Sequence, residues 1–261
     1  MQICRYMSAN GPAWGAVEGG QVYALQDNPL EAFEVGTAPR VEYDKRIGAA
    51  GNVALLAPVA PPKMLCIGRN YAEHAAERGH EVPKEPLVFL KPPTTLIGPG
   101  QPIVLRSHNG NVHHEAELAI VIGRGGFNIP QEMALDHVLG YTCANDVSDR
   151  DFQANDGQWW RAKGQDTFCP LGPWITNDIE ASDVRVTCRI NGELRQDSRT
   201  SLMVYKIPFL VSYLSRFITL ETGDLILTGT PAGVGPIRPG EVVEIEVEGI
   251  GVLSNPVVQA D

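Results

Sequence analysis

Apolar residues in this chain come in short runs bounded by Gly, Pro, Asn and Asp, and few of them recur at helical spacing, so the pattern predicts a β-rich protein. Near the N-terminus, Ile3–Tyr6, Trp14–Val17 and Val22–Leu25 read as strands separated by N-G-P and E-G-G turns. The segment P-V-A-P-P at 58–62 reads as a stiff linker. Residues 1–57 are therefore expected to form a small β domain, and residues 63–261 the main domain. In the latter, Met64–Ile67, Leu87–Leu90, Leu118–Ile122, Val184–Ile190, Asp224–Leu227 and Val242–Val247 supply strands, and Asn191-Gly192 marks a hairpin. Helices are expected over about Tyr71 to Arg78, capped by Asn70 and stopped by Gly79, near Gln131–Leu139, and from Pro208 to Phe217. The sum is an α+β, β-dominated fold with few helices.

Composition narrows the class of partner. With 43% hydrophobic and 20% charged residues, the 261-residue chain can bury a sizeable core. A net charge of −10 argues against nucleic acid as a partner, although a local site can still oppose the global charge and take an anion. Cys4, Cys66, Cys143, Cys169 and Cys188 are widely spaced with no C-x-x-C pair, which argues against zinc and against a disulfide framework. No leader pattern and no span-length apolar run is visible, so a cytoplasmic protein without a membrane partner is expected.

Candidate chemistry centres on E-A-E-L-A-I-V-I-G at 115–123 and G-Y-T-C-A-N-D at 140–146. Glu115 and Glu117 are two residues apart at the start of an apolar strand, so their side chains share a side. Two carboxylates aimed together beside a buried strand repel unless a cation sits between them; the alternative is a solvated pair at a frayed strand end. Asp146 adds a third oxygen. His74 and Glu77, three apart on a helix, can hydrogen-bond and leave one imidazole nitrogen as a base, or can be an incidental surface pair. Lys163, in W-W-R-A-K-G-Q-D, can face a pocket or lie along apolar surface. Arg69 suits a substrate carboxylate, or equally one of the many acids of the chain, with Lys91 after the next strand. T-G-T-P at 228–231 alone is only a turn. His113 and His114, adjacent on a strand, point to opposite faces, so both cannot easily ligate one ion; one is a candidate second-sphere group.

The order of these motifs carries more than each of them does separately. G-R-N-Y-A-E-H-A-A-E (68–77), F-L-K-P (89–92), H-H-E-A-E-L-A-I-V-I-G (113–123), G-Y-T-C-A-N-D-V-S-D-R-D (140–151), N-G-E-L-R-Q (191–196) and G-D-L-I-L-T-G-T-P-A-G-V-G (223–235) together resemble the fumarylacetoacetate hydrolase family over about residues 63–258. The N-terminal unit resembles the N-terminal β domain of many bacterial members. The resemblance implies a mixed β-roll, a homodimer, and Mg²⁺ (with Mn²⁺ or Ca²⁺ as alternatives) held by Glu115, Glu117 and Asp146. It further implies His74 and Glu77 as a water-orienting dyad on a segment that closes as a lid, Lys163 beside the metal, and Arg69, Tyr71, Gln153 and Thr230 around the substrate.

An all-carboxylate site is hard and suits such an ion, which would chelate the carboxylate and 2-oxo oxygen of a small anionic substrate. The expectation is an enzyme that cleaves a C–C bond of a short 1,3-diketo (2-oxo) acid such as an acylpyruvate, through a metal-stabilised enolate and water activated by His74. The alternatives are a 2-hydroxyhepta-2,4-diene-1,7-dioate isomerase or decarboxylase of aromatic catabolism, an oxaloacetate decarboxylase or tautomerase, and an inactive, metal-stabilised binding protein.

Overall fold

Residues 1–34, 36–106 and 111–260 are described by the structure, a computed structural model. The chain builds one long mixed sheet and a second, five-stranded sheet, with short helices around them. The long sheet runs in the order Val41–Ala49, Gln21–Leu25, Gly11–Glu18, Gln2–Ser8, Cys169–Thr176, Val138–Asn145, Ala116–Ile122, Leu225–Leu227, Met64–Gly68 and Leu87–Lys91. The second runs Glu193–Arg199, Arg185–Ile190, Val242–Val247, Gly251–Gln259 and Ile103–Leu105. Leu118 and Ile120 share a buried cluster with Val186, Cys188 and Ile245 of the second sheet. Ala119 and Val121, on the opposite face of their strand, pack with Met64, Cys66, Leu225 and Leu227. Burial on both faces is why Ala116–Ile122 reads as an unbroken apolar run rather than an alternating one. Among the described residues, no helix is long and apolar enough to cross a membrane, and all five cysteines are buried and free.

Several local expectations are met. Asn191 and Gly192 have φ of 51° and 81°, the paired positive values of a tight two-residue hairpin turn. The last long helix is Ile207–Ser215, with Pro208 in its first turn. Others need correction. Residues Gln131–His137 form a 3₁₀ segment, and from Val138 the chain is already a fully buried strand. Asn70 does not cap the following helix, Ala72–Glu77, whose N-cap position is Tyr71. Its amide instead donates to the carbonyls of Tyr205 (3.0 Å) and Thr228 (2.8 Å) and accepts from the Tyr205 N–H (2.7 Å), tying the root of that helix to two loops. The proline-rich segment is no free spacer, because Ala57, Pro58, Val59 and Pro61 are buried.

Strand direction gathers the chemistry at one end of the long sheet. Ala116–Ile122 is antiparallel to both Val138–Asn145 and Leu225–Leu227, and the latter is parallel to Met64–Gly68. The start of Ala116–Ile122 thus lies beside the ends of the other three strands. Glu115, Asp146, Thr228-Gly229-Thr230 and Arg69 emerge there together.

Candidate active site

The pairing of Ala116 with Asn145 sets Glu115 opposite Asp146, and two hydrogen bonds lock the register beyond the last ladder pair. The Asp146 N–H donates to the Glu115 carbonyl (2.9 Å), and the Glu115 N–H donates to Asn145 Oδ1 (2.9 Å). Carboxylate oxygens of Glu115, Glu117 and Asp146 lie within 4.8 Å of one another, and all three residues are buried. The frayed-end alternative for the glutamate pair is therefore excluded.

Cations surround this cluster unevenly. Lys163 Nζ bridges Glu115 (2.7 Å) and Asp146 (2.5 Å) from Trp160–Lys163, a short helix, with its ammonium 4.8 Å from the centre of the Phe89 ring. Lys91 Nζ pairs with the other Asp146 oxygen at 2.7 Å, and Arg150 pairs with Glu115 at 2.7 Å. Among the described residues, Glu117 is ion-paired with none; it accepts one backbone hydrogen bond, from Gly229 N–H at 2.7 Å. Burial, then the charges of Asp146 and Glu115, push its carboxyl well above the ordinary glutamate value. Burial also works against ionised Glu115, but Lys163 and Arg150 outweigh it and hold that carboxyl below its usual range. Lys163 stays charged because Asp146 and Glu115 overcome the cost of burying it. A dry carboxylate with no cation beside it is unfavourable by several kcal/mol or more, by the usual order of magnitude, and a divalent ion shared with its two neighbours removes that cost. Hard oxygen donors of this kind fit Mg²⁺, Mn²⁺ or Ca²⁺. The three residues would hold the ion.

The loop after Leu225–Leu227 runs alongside the carboxylate strand and is pinned to it. Thr228 and Thr230 hydroxyls donate to the carbonyls of Leu118 (2.8 Å) and Ala116 (2.9 Å). Farther along, Gly233 takes φ of 94°, and a Cβ there would collide with the Arg195 carbonyl, so only glycine fits without strain. Its N–H donates to both Glu77 carboxylate oxygens (3.1 and 3.3 Å), holding the short Ala72–Glu77 helix down. On that helix, His74 Nδ1 lies 3.4 Å from Glu77 Oε2, at the long end of hydrogen-bond range. Burial lowers the His74 pKa below the ordinary histidine value, against the opposite pull of Glu115, so the ring is neutral at pH 7. With Nδ1 on Glu77, Nε2 is the basic nitrogen.

A cavity of about 370 Å³ opens beside the carboxylates and is lined by Arg69, His74, Arg78, Glu115, Arg150, Gln153, Lys163 and Thr230, among others. Nine of the ten residues that the family resemblance assigns to the site thus lie in the carboxylate cluster, the cavity wall or the His74–Glu77 helix. Tyr71 does not line this cavity: it is buried and borders a separate one of about 150 Å³. A larger groove, about 1150 Å³, lies elsewhere and shares none of these lining residues.

Sequence reasoning left out two participants, Arg150 and Gln196, and named Lys91 only as a basic residue accompanying Arg69. Arg150 pairs with Glu115 and donates to Gln153 Oε1 (2.8 Å). Lys91 holds Asp146. Gln196, wholly buried, accepts from the Ala116 N–H (2.9 Å), and its Oε1 lies 2.9 Å from His114 Nδ1. The Gln196 amide nitrogen donates to Thr230 Oγ1 (2.7 Å) and the Pro231 carbonyl (2.9 Å). His114 therefore reaches the carboxylate strand through Gln196, while His113 lies 3.1 Å from Asn111. The available signal for Arg150 and Gln196 was a polar residue within a motif that otherwise reads as strand.

A buried carboxylate cluster that could hold a metal ion thus lies beside a His–Glu pair and a buried lysine on a mixed β-roll. Residues 63–258 match the fumarylacetoacetate (FAA) hydrolase C-terminal family and residues 1–58 match the Rv2993c-like N-terminal family. The chain belongs to the fumarylacetoacetate hydrolase family. It is 47% identical to protein Rv2993c of Mycobacterium tuberculosis, over 99% of this chain and 98% of that one. It is 45% identical to a mitochondrial oxaloacetate tautomerase of Xenopus laevis, over 84% of this chain and 72% of the relative. The 2-hydroxyhepta-2,4-diene-1,7-dioate isomerase structure from Mycobacterium marinum superposes with a TM-score of 0.89 at 43% identity, covering 99% and 98% of the two chains. Fumarylpyruvate hydrolase from Pseudomonas aeruginosa, solved with Mn²⁺ and pyruvate, gives 0.73 at 36% identity, covering 78% of this chain and 91% of that one.

Proposed function

We propose that the protein is a divalent-metal-dependent hydrolase that cleaves the C3–C4 bond of a short 1,3-diketo acid of the acylpyruvate type. The observation that carries this reading is the meeting, at one small cavity, of Glu115 from a cluster of three buried carboxylates, a charged lysine and a neutral histidine backed by a glutamate. A cation held by Glu115, Glu117 and Asp146, with Mg²⁺ favoured by the oxygen donors, supplies Lewis acidity to the 2-oxo acid end of the substrate. His74 Nε2 takes a proton from water as its oxygen adds to the 4-carbonyl, and Glu77 stabilises the imidazolium that forms. The C3–C4 electron pair leaves as the enolate of pyruvate, whose charge Lys163 stabilises, and C3 then takes a proton. The products are pyruvate and a carboxylic acid.

Keto–enol tautomerisation of oxaloacetate is a second reading, favoured by the 45% identity to a tautomerase. It uses the same residues, with His74 moving the C3 proton directly. Protein stripped with chelator and reloaded with Mg²⁺, assayed against acetylpyruvate, fumarylpyruvate, oxaloacetate and 2-hydroxyhepta-2,4-diene-1,7-dioate, separates the two. Cleavage of an acylpyruvate that is lost in His74→Ala supports hydrolysis. Failure on both acylpyruvates with fast conversion of oxaloacetate replaces it with tautomerisation.

A further inference from the structure

The helix that carries His74 and Glu77 is too short to hold itself in place. Ala72–Glu77 has six residues, whereas isolated helices below about 12–15 residues are marginal in water. Packing adds little, because only His74 and Ala75 are buried within it. Its position must therefore be set by hydrogen bonds made to the rest of the molecule. The chain also turns back as soon as the helix ends. Gly79, at φ of 70°, donates to the Ala76 carbonyl (2.9 Å), and the His80 N–H donates to the Ala75 carbonyl (2.8 Å), a paired ending that reverses direction. Residues 70–85 thus form a strap that is exposed over most of its length.

Both ends of this strap meet one residue, Tyr205. At the near end, the amide of wholly buried Asn70 bonds both backbone groups of Tyr205, and the Val204 N–H donates to the Asn70 carbonyl (2.8 Å). At the far end, the Tyr205 hydroxyl donates to the Pro83 carbonyl (2.5 Å). The Tyr205 ring is itself set from outside the strap. It stacks on Phe209, with ring centres 5.4 Å apart and planes at 19°, and Phe209 stacks on Tyr213 at 5.8 Å and 23°. Spaced four apart, these rings run along one side of the Ile207–Ser215 helix. Tyr205 does not line the carboxylate cavity, so any effect it has on the chemistry passes through the strap.

We propose that Tyr205 is a positioning residue: by clasping the strap at Asn70 and at Pro83 it fixes where His74 Nε2 sits at the carboxylate cavity. This rests on the reading of His74 as the acid–base group. The dyad needs such a clasp because its own bond is long. His74 Nδ1 and Glu77 Oε2 are 3.4 Å apart, so a small rotation of the helix separates them. A misplacement of about 1 Å at a reacting group costs up to about a hundredfold in rate. The bonds at Asn70 anchor one end of the strap, and the Gly233 N–H holds Glu77 in its middle. Without the hydroxyl at Pro83 the far end is free to swing, and the helix swings with it.

Tyr205→Phe removes the hydroxyl and keeps the ring stack, so it isolates the far end of the clasp. Hydrogen–deuterium exchange of the whole chain, followed by mass spectrometry, should show residues 71–86 exchanging about five- to tenfold faster in the variant, as for loss of one net hydrogen bond. Peptides from Ala116–Ile122 and Val138–Asn145 should be unchanged, and the melting temperature should fall by no more than about 2–4 °C. In Mg²⁺-loaded protein, kcat for whichever 2-oxo acid turns over fastest should fall about 10–100-fold, with KM and Mg²⁺ affinity held within about twofold. Tyr213→Phe, which loses only a 3.4 Å contact with Glu85, should match the wild type in both measurements. The positioning role is overturned by unchanged exchange at 71–86, by exchange that quickens equally throughout the sheet, or by an unaltered kcat; each of these leaves the acid–base reading standing. If His74→Ala keeps wild-type turnover, the acid–base reading fails and takes the positioning role with it.

Discussion

Replacing Gln196 with leucine tests whether the strand that carries Glu115 and Glu117 is held in place from outside the carboxylate cluster. The two side chains are similar in volume, so the change removes hydrogen bonds with little cavity. Three buried groups lose their partner: the Ala116 N–H, His114 Nδ1 and the Pro231 carbonyl. Thr230 Oγ1 keeps its bond to the Ala116 carbonyl. Each orphaned buried group costs about 1–3 kcal/mol, so with partial relaxation the loss is about 3–6 kcal/mol. That is a large part of the roughly 5–15 kcal/mol that holds a typical domain together. Equilibrium urea unfolding with a slope of about 3 kcal/mol per M would show the midpoint falling by about 1–2 M. Ala116 lies between Glu115 and Glu117, so Mg²⁺ affinity measured by calorimetry should weaken by about 10–100-fold, as for other groups that orient a ligand without touching the ion. A stability loss below about 1 kcal/mol, with Mg²⁺ affinity unchanged, would falsify the view that Gln196 locks this strand to the T-G-T-P loop.

Glu117→Gln should weaken Mg²⁺ binding by at least about a hundredfold, more than loss of an orienting partner does. In chelator-treated protein the same change should raise the melting temperature at pH 8. A folded-state pKa raised above the ordinary 4.5 means that stability present below that value is lost as pH rises, and the neutral amide escapes this loss; an equal or lower melting temperature for the variant at pH 8 argues against it. Glu77→Gln should lower kcat by about 10²–10³-fold while the Mg²⁺ affinity stays put. Because burial lowers the His74 pKa below 6.5, the acid limb of kcat/KM in the wild type should begin below that pH, and a limb centred above 6.5 would contradict the assignment. Burial pushes Cys4, Cys143 and Cys169 up to about 12, so native protein at pH 8 should leave all five cysteines unlabelled by a thiol reagent, whereas denatured protein should react fully.

What the sequence revealed, and what it hid, follow from which forces act locally. Strands whose own apolar pattern determines burial, such as Ala116–Ile122 and Val242–Val247, are legible at once. The carboxylate cluster is legible because alternation fixes Glu115 and Glu117, and motif order adds Asp146. Val41–Ala49 escaped because its side chains are mostly polar and exposed; it is a strand by virtue of its pairing with Gln21–Leu25 and not of its pattern. Asn70 looked like a helix cap because Asn serves that role locally, yet loops more than a hundred residues away claim its amide. Gln196 was invisible for the same reason: all four of its bonds span at least 34 residues. Ion pairs such as Arg150 with Glu115 and Lys91 with Asp146 likewise depend on three-dimensional proximity, and a charged residue in a motif does not announce which acid it will meet.

The first strand of the chain has a consequence beyond its own unit. Gln2 and Ile3 pair with Thr176 and Ile175, so the N-terminal hairpins continue the sheet that carries the carboxylate strand. They end it in Val41–Ala49, whose run of charged, exposed side chains discourages another strand from docking. Without residues 1–58 that boundary would shift inward to an apolar strand, Cys169–Thr176, with open backbone donors and acceptors. The N-terminal unit, remote from the carboxylate cluster, thereby acts as the selvedge of the sheet that carries it. Truncation there should show up first as self-association, and only afterwards as lost turnover.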